Sequence, residues 1–376
     1  MVQKQAIRVP HYTSPSMAEM TDKNFKKKFI ILYNKNREST LLETMKHYKI
    51  LLIILLPIMF AFAGCKQNTN TSEMTPEEIL NVLDIKIHKH PKDDQLYYDR
   101  AKIYLKLNRV NEAIADLARA VALDKDNIDY NMLLGDAYFA NHDMNSSLKT
   151  FQKVLDLDPG NTEAYLKLGE ISYYSRDYDR AMESLSKVTE KDPRNRTALF
   201  MKSFIYKETG DTSKAITLLS KICDYYPEFP EAFEEIGTLY ALGHNPLALE
   251  YLNTAIRLNP KSTSARYSIA MFYQEQNQID KAEEYYKQIL DIDSGHKDAW
   301  HNRGYLQTFV YGDYEEAIGF YTKAIQCDSS FIEAWTNRGC TYELMGNKAL
   351  AHQDFAQAVN LDGTYEPAIE GFERTK

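Results

Sequence analysis

Residues 332–365 read IEAWTNRGCTYELMGNKALAHQDFAQAVNLDGTY, and the same order of large and small side chains returns upstream at a spacing of 34. Counted from Ile332, a large residue stands at position 4 (Trp335), glycine at 8 (Gly339) and an aromatic at 11 (Tyr342). Alanine follows at 20 and 27 (Ala351, Ala358), with a ring at 24 (Phe355). Small residues at 8, 20 and 27 suit the points where two antiparallel helices, or successive helical hairpins, approach most closely. Large residues at 4, 11 and 24 fill the gaps between them, as a close-packed interior requires.

The register runs back through the chain. Residues 297–331, one residue long, hold Trp300, Gly304, Ala317, Tyr321 and Ala324, and residues 263–296 hold Ala270, Tyr273, Ala282 and Tyr286. Residues 230–262, one residue short, keep Phe233, Gly237, Tyr240, Ala248, Leu252 and Ala255. Before them, 196–229 offers Ser203, Tyr206, Ala215 and Leu219, and 162–195 offers Tyr165, Gly169, Ala181 and Leu185. Residues 128–161 have Gly135, Tyr138 and Phe151 with Ser147 for the alanine, and 94–127 have Tyr97, Ala101, Tyr104, Ala113, Leu117 and Ala120. Pro159, Pro193, Pro227 and Pro260 fall near position 32, where proline cannot continue the second helix and the chain turns. Thr75-Pro76-Glu77-Glu78 predicts a capped helix over 75–91. Residues 366–376 predict a short closing helix, and both would cover the apolar ends of a stack.

This pattern resembles the tetratricopeptide repeat. The resemblance covers 92–365 and implies an all-α, right-handed superhelical solenoid of about eight hairpins with a helix capping each end. It also implies a protein or peptide partner on a concave face lined by positions 2, 5, 6, 9, 12 and 13. Positions 5 and 9 read Tyr98/Lys102, Met132/Asp136, Leu166/Glu170, Phe200/Phe204, Glu234/Thr238, Tyr267/Met271, His301/Tyr305 and Thr336/Cys340. Phe200, Phe204, Tyr267 and Met271 make the middle apolar. Ala299-Trp300-His301-Asn302-Arg303-Gly304 parallels Ala334-Trp335-Thr336-Asn337-Arg338-Gly339. In peptide-binding members an asparagine at position 6 bonds an extended peptide backbone, so Asn302 and Asn337, with His301 and Tyr305, form a second candidate stretch. The basic set that clamps a terminal carboxylate is not evident.

The N-terminal part carries a different signal. Lys46, His47 and Lys49 precede the apolar run Ile50–Ala63, which ends at Gly64-Cys65. A basic start, such a run and small residues before a cut are the parts of an export signal. Phe62-Ala63-Gly64-Cys65 resembles the bacterial lipobox, which implies a lipidated Cys65. Residues 45–65 are therefore expected to be a lipoprotein signal peptide and 66–74 a flexible tether. Residues 1–44 precede it as an upstream extension or a disordered segment, because a signal should begin near Met45. Lys66 rather than aspartate after the cysteine favours the outer membrane of a bacterial envelope, on its periplasmic face. Cys223, Cys327 and Cys340 are expected as mostly buried, free thiols, since three cannot all pair.

Residues 1–65 carry 10 basic against 4 acidic residues and the remainder 35 against 49, a net −14. So acidic a body argues against nucleic acid, whose phosphates need a basic surface. There is no glycine-rich phosphate loop, Cys-x-x-Cys or His-Glu-x-x-His, so neither cofactor nor metal is expected, and no small-molecule substrate. His88-Lys89-His90 reads as solvated surface, as do the acidic pairs Glu234-Glu235, Glu283-Glu284 and Glu315-Glu316. The expectation is a non-enzymatic, lipid-anchored scaffold. Its alternative is a structural accessory of an envelope machine acting by self-association or its convex face.

Overall fold

The computed structural model describes residues 74–376. The expected signal segment, its Cys65 and the tether to residue 73 lie outside the described residues. Among those residues every regular element is helical. Helix α1 (Pro76–Lys89) is capped by Thr75, whose hydroxyl accepts from Glu78 N while the Glu78 carboxylate accepts from Thr75 N at 2.7 Å. Eight hairpins follow: α2–α3 (Asp94–Lys106, Val110–Leu123), α4–α5 (Ile128–Ala140, Met144–Leu157), α6–α7 (Thr162–Tyr174, Tyr178–Lys191) and α8–α9 (Arg196–Glu208, Thr212–Tyr225). Then come α10–α11 (Pro230–Leu242, Leu247–Leu258), α12–α13 (Thr263–Glu275, Ile279–Ile292), α14–α15 (Lys297–Leu306, Tyr314–Cys327), α16–α17 (Ile332–Leu344, Lys348–Leu361) and a last single helix, α18 (Glu366–Thr375). The helices form two compact units. One is residues 71–288, and the described part of the other is 289–376.

Each hairpin closes on the contact between positions 8 and 24. A Cβ placed on Gly135 would stand 2.7 Å from the Phe151 ring, one on Gly237 2.6 Å from Leu252 and one on Gly304 2.8 Å from Tyr321. The missing side chain is what lets the large one in. Where Ser147 replaces the alanine at position 20, its hydroxyl donates to Gly135 O at 2.8 Å, so the buried oxygen is satisfied.

The turn inside each hairpin has one left-handed residue at position 15. Asn108, His142, Arg176, His244 and Asn277 have φ between 53° and 59°, and Gly210, Gly312 and Gly346 occupy the same place. The next N–H returns to the carbonyl at position 11, as in Asp143 N to Tyr138 O at 2.9 Å, and the same aspartate caps the second helix through Ser146 N. Between hairpins, Asp158 and Asp192 are extended ahead of proline, as its ring demands. Asp293, Asp328 and Asp362 lack that proline, and all five aspartates accept from the N–H two residues on, at 2.7–3.1 Å.

Both length changes leave a local trace. In α10–α11 the missing residue tightens the first turn of the second helix, where Ala248 N bonds Asn245 O and Leu249 N bonds Pro246 O, three residues back. In α14–α15 the extra residue makes a π turn over Gln307–Tyr311, closed by Asp313 N on Gln307 O, six residues back.

Candidate functional site

First helices of neighbouring hairpins pack on one another in the 71–288 unit, α6 on α8 and α10 on α12. They present positions 2, 5, 6, 9, 12 and 13 on a shared face. Across α4, α6, α8, α10 and α12 those positions carry Asp129, Asp136, Glu163, Glu170, Glu208, Glu231, Glu234, Glu235 and Glu275 against Lys167 and Lys207.

Phe200, Phe204, Tyr267 and Met271 are all buried, each at 9% exposure or less. Phe200 and Phe204 meet edge to face at 4.8 Å, and Phe200 also meets Phe229 at 5.2 Å. Lys207 lays its ammonium 4.3 Å from the Phe204 ring centre and donates to Glu235 Oε2 at 2.8 Å. The Tyr286 hydroxyl lies 3.0 Å from Met271 Sδ and 2.9 Å from Gln274 Oε1, with the Tyr267 ring 6.1 Å away.

The acidic pairs need correction. Glu234, Glu235 and Glu283 are buried, whereas Glu284, Glu315 and Glu316 are exposed. Glu234 and Glu235 sit at positions 5 and 6, where a neighbouring first helix covers them. Ser262 Oγ and Lys207 Nζ supply their donors.

In the 289–376 unit, Asn337 Nδ2 lies 2.8 Å from His301 Nε2, and His301 Nδ1 lies 3.3 Å from Asn302 Oδ1. An amide donating to Nε2 requires the imidazole proton on Nδ1, so the chain Asn337–His301–Asn302 has one polarity. All three are buried, and His301 packs between Tyr321 and Phe331 at 5.6 and 5.0 Å. Tyr305 is buried beside Phe309 at 4.8 Å.

The rest of the shared motif packs. Trp300 Nε1 donates to Ser294 O and Trp335 Nε1 to Ser329 O, tying each helix to the turn before it. Arg303 stacks 4.1 Å over Phe320, while Arg338 forks onto Asp354 with two 2.8 Å bonds and reaches Thr322 Oγ1 with a third. The sequence reading passed over this clamp, and Arg100 makes the same fork onto Asp116, with Asp84 added. The pairing of positions 7 and 23 in the first and last hairpins was the available signal.

The thiols depart from expectation. Cys223 and Cys340 are part-buried and pushed up to about 12 by burial, but Cys327, the last residue of α15, is exposed. His88, Lys89 and His90 are exposed, and among the described residues no three His, Cys, Asp or Glu side chains group to hold a metal. Among them, too, no helix is long and apolar enough to cross a membrane.

Family models described as "Tetratricopeptide repeat" match residues 98–162, 163–195, 197–228, 239–302 and 320–353, together more than half of the chain. Comparison with curated proteins finds no match. Among solved structures, a tetratricopeptide repeat protein from Parabacteroides merdae is 19% identical, covering 66% of this chain and 98% of its own, with a TM-score of 0.53. The C-terminal part of a repeat protein from Cytophaga hutchinsonii is 19% identical over 65% of this chain and 99% of its own, at 0.50. The APC/C hetero-tetramer Cut9-Hcn1 is 16% identical over 81% of this chain, at 0.50, and this chain spans 60% of that one. At these identities the likeness concerns the fold.

Proposed function

We propose that this chain, which belongs to the tetratricopeptide-repeat family, is a non-enzymatic scaffold lipid-anchored in a bacterial envelope, holding a partner protein or peptide along its first helices. One observation carries the binding role. The first-helix face of the 71–288 unit combines buried rings (Phe200, Phe204, Tyr267) with a marked excess of carboxylates. The rings are packed inside and fix the shape of the face, and the charges beside them give selectivity, as at recognition surfaces. In the other unit a bound peptide backbone would exchange bonds with Asn337 and Asn302, now joined through His301. The anchor rests on the basic start, the apolar run 50–63 and Gly64-Cys65. Lys66 in place of an aspartate after the cysteine favours the periplasmic face of the outer membrane.

The test is photo-crosslinking in cells from a probe at Tyr174 or Thr238, two half-buried face positions. A discrete crosslinked protein is expected, together with loss of membrane association in Cys65→Ser. No crosslinked species from either position would end the binding reading, and unchanged membrane association would end the anchor.

A second reading, self-association, is favoured by Leu157 and Tyr225, exposed apolar side chains at the ends of α5 and α9. Sedimentation of the chain over a hundredfold concentration range tests it. A monomer throughout removes it.

A further inference from the structure

We propose that Asp136 and Glu170 form a seat for a cationic side chain, lysine or arginine, from a peptide segment of the partner. The proposal rests on the scaffold reading above and specifies the chemistry of what is held.

Glu170, at position 9 of α6, is 5% exposed, and its Oε1 is buried with no hydrogen-bond partner. A buried carboxylate oxygen without a donor is costly and uncommon in a native fold. Its charged neighbours are Asp136 from α4 and Lys167 from its own helix. Those two pair with each other at 2.7 Å, Nζ to Oδ1. The Lys167 and Asp136 side chains are 22% and 34% exposed, so the cluster reaches the surface. Two carboxylates therefore share one ammonium, and Glu170 is the one left short of a donor.

A second cation would complete the set. It would donate to Glu170 and share Asp136 with Lys167, the charge-assisted geometry that carboxylates favour. The surroundings point to a basic segment, because nine carboxylates share this face with two ammonium groups. Like charges at that density repel an acidic peptide and steer a basic one.

Protonation agrees in sign. Burial pushes Glu170 up to about 7, with Lys167 drawing it down and Asp136 pushing it up. Of the other groups around it, Tyr174 lies on the same helix. A cation favours the ionised carboxyl, so binding releases a proton and tightens as pH rises through about 7.

The test titrates the full-length chain, held in mild detergent at fixed ionic strength, with an end-capped peptide alternating Lys and Leu. A matched peptide carries Glu for each Lys. The Lys peptide is expected to bind and the Glu peptide not. Glu170→Gln and Asp136→Asn are each expected to weaken binding about tenfold. Glu170→Gln should leave the melting temperature unchanged or higher, which separates lost binding from lost fold. It should also abolish the rise in affinity between pH 6 and 8. Equal binding of both peptides, or unchanged affinity in both variants, overturns the proposal. If crosslinking from Tyr174 or Thr238 still recovers a partner in that case, the scaffold reading survives without the cation seat. If crosslinking recovers nothing, both fall.

Discussion

Asp354→Ala is expected to cost the 289–376 unit about 3 kcal/mol, the range for removing one partner of a buried ion pair. Asp354 and Arg338 expose 6% and 14% of their side chains. Three 2.8 Å bonds bind the guanidinium to Asp354 and Thr322, and Trp335 stacks on it at 4.9 Å. The clamp joins α16 to its own second helix and to α15. Without Asp354 the guanidinium stays where it is, half desolvated and unpaired, and that penalty exceeds the loss of two hydrogen bonds. Replacing both partners, Arg338→Met with Asp354→Leu, removes the charge as well as the clamp and is expected to cost less than about 1 kcal/mol. Both tryptophans of the chain, Trp300 and Trp335, lie in this unit. Urea unfolding followed by tryptophan fluorescence therefore reports on it directly. A double variant as unstable as the single one would show that the clamp is worth its hydrogen bonds rather than its compensated charge.

The all-α repeat was legible because the pattern records a steric fact eight times. Position 8 must be small wherever position 24 is large, and Gly135 with Phe151 or Gly304 with Tyr321 shows why. The left-handed residue at position 15 was not legible. Asn108, His142, Arg176, His244 and Asn277 share a backbone conformation but no side-chain type, and only three hairpins place glycine there. The turn's hydrogen bonds hold that geometry, at roughly 1 kcal/mol for each non-glycine residue.

Burial of charge was also hidden. Glu234-Glu235 and Glu315-Glu316 look alike in one dimension, yet only the first pair lies on a face that a neighbouring first helix covers. The same limit applies to the candidate site. Asn302 and Asn337 were visible as a pair at position 6, but their meeting through His301 joins residues 36 apart in sequence. A single helix pattern does not say which of its faces the next hairpin will occupy.

The position 8 and 24 contact allows a sharper test, in which two harmful substitutions are expected to relieve each other. Gly135→Ala alone puts a methyl 2.7–3.0 Å from three atoms of the Phe151 ring, which is fully buried and has nowhere to move. Overpacking of that kind costs about 1–3 kcal/mol. The gain from replacing a helical glycine, about 1 kcal/mol, offsets only part of it. Phe151→Leu alone leaves a void above Gly135 and is expected to cost about 2 kcal/mol. Together they place alanine opposite leucine, the pairing that Ala101 and Leu117 already make, both fully buried, in the first hairpin. There the methyl occupies the space the ring has left when the new leucine sits as Leu117 does, not closed onto position 8 as Leu185 and Leu252 are on Gly169 and Gly237. The double variant is therefore expected to be more stable than Phe151→Leu, with a coupling of about 2 kcal/mol between the sites. Hydrogen exchange over residues 128–157 measures this locally, because a repeat stack need not unfold as one cooperative unit. Strictly additive losses would mean that the hairpin adjusts by shifting its helices, and that the glycine at position 8 answers to something other than the ring it faces.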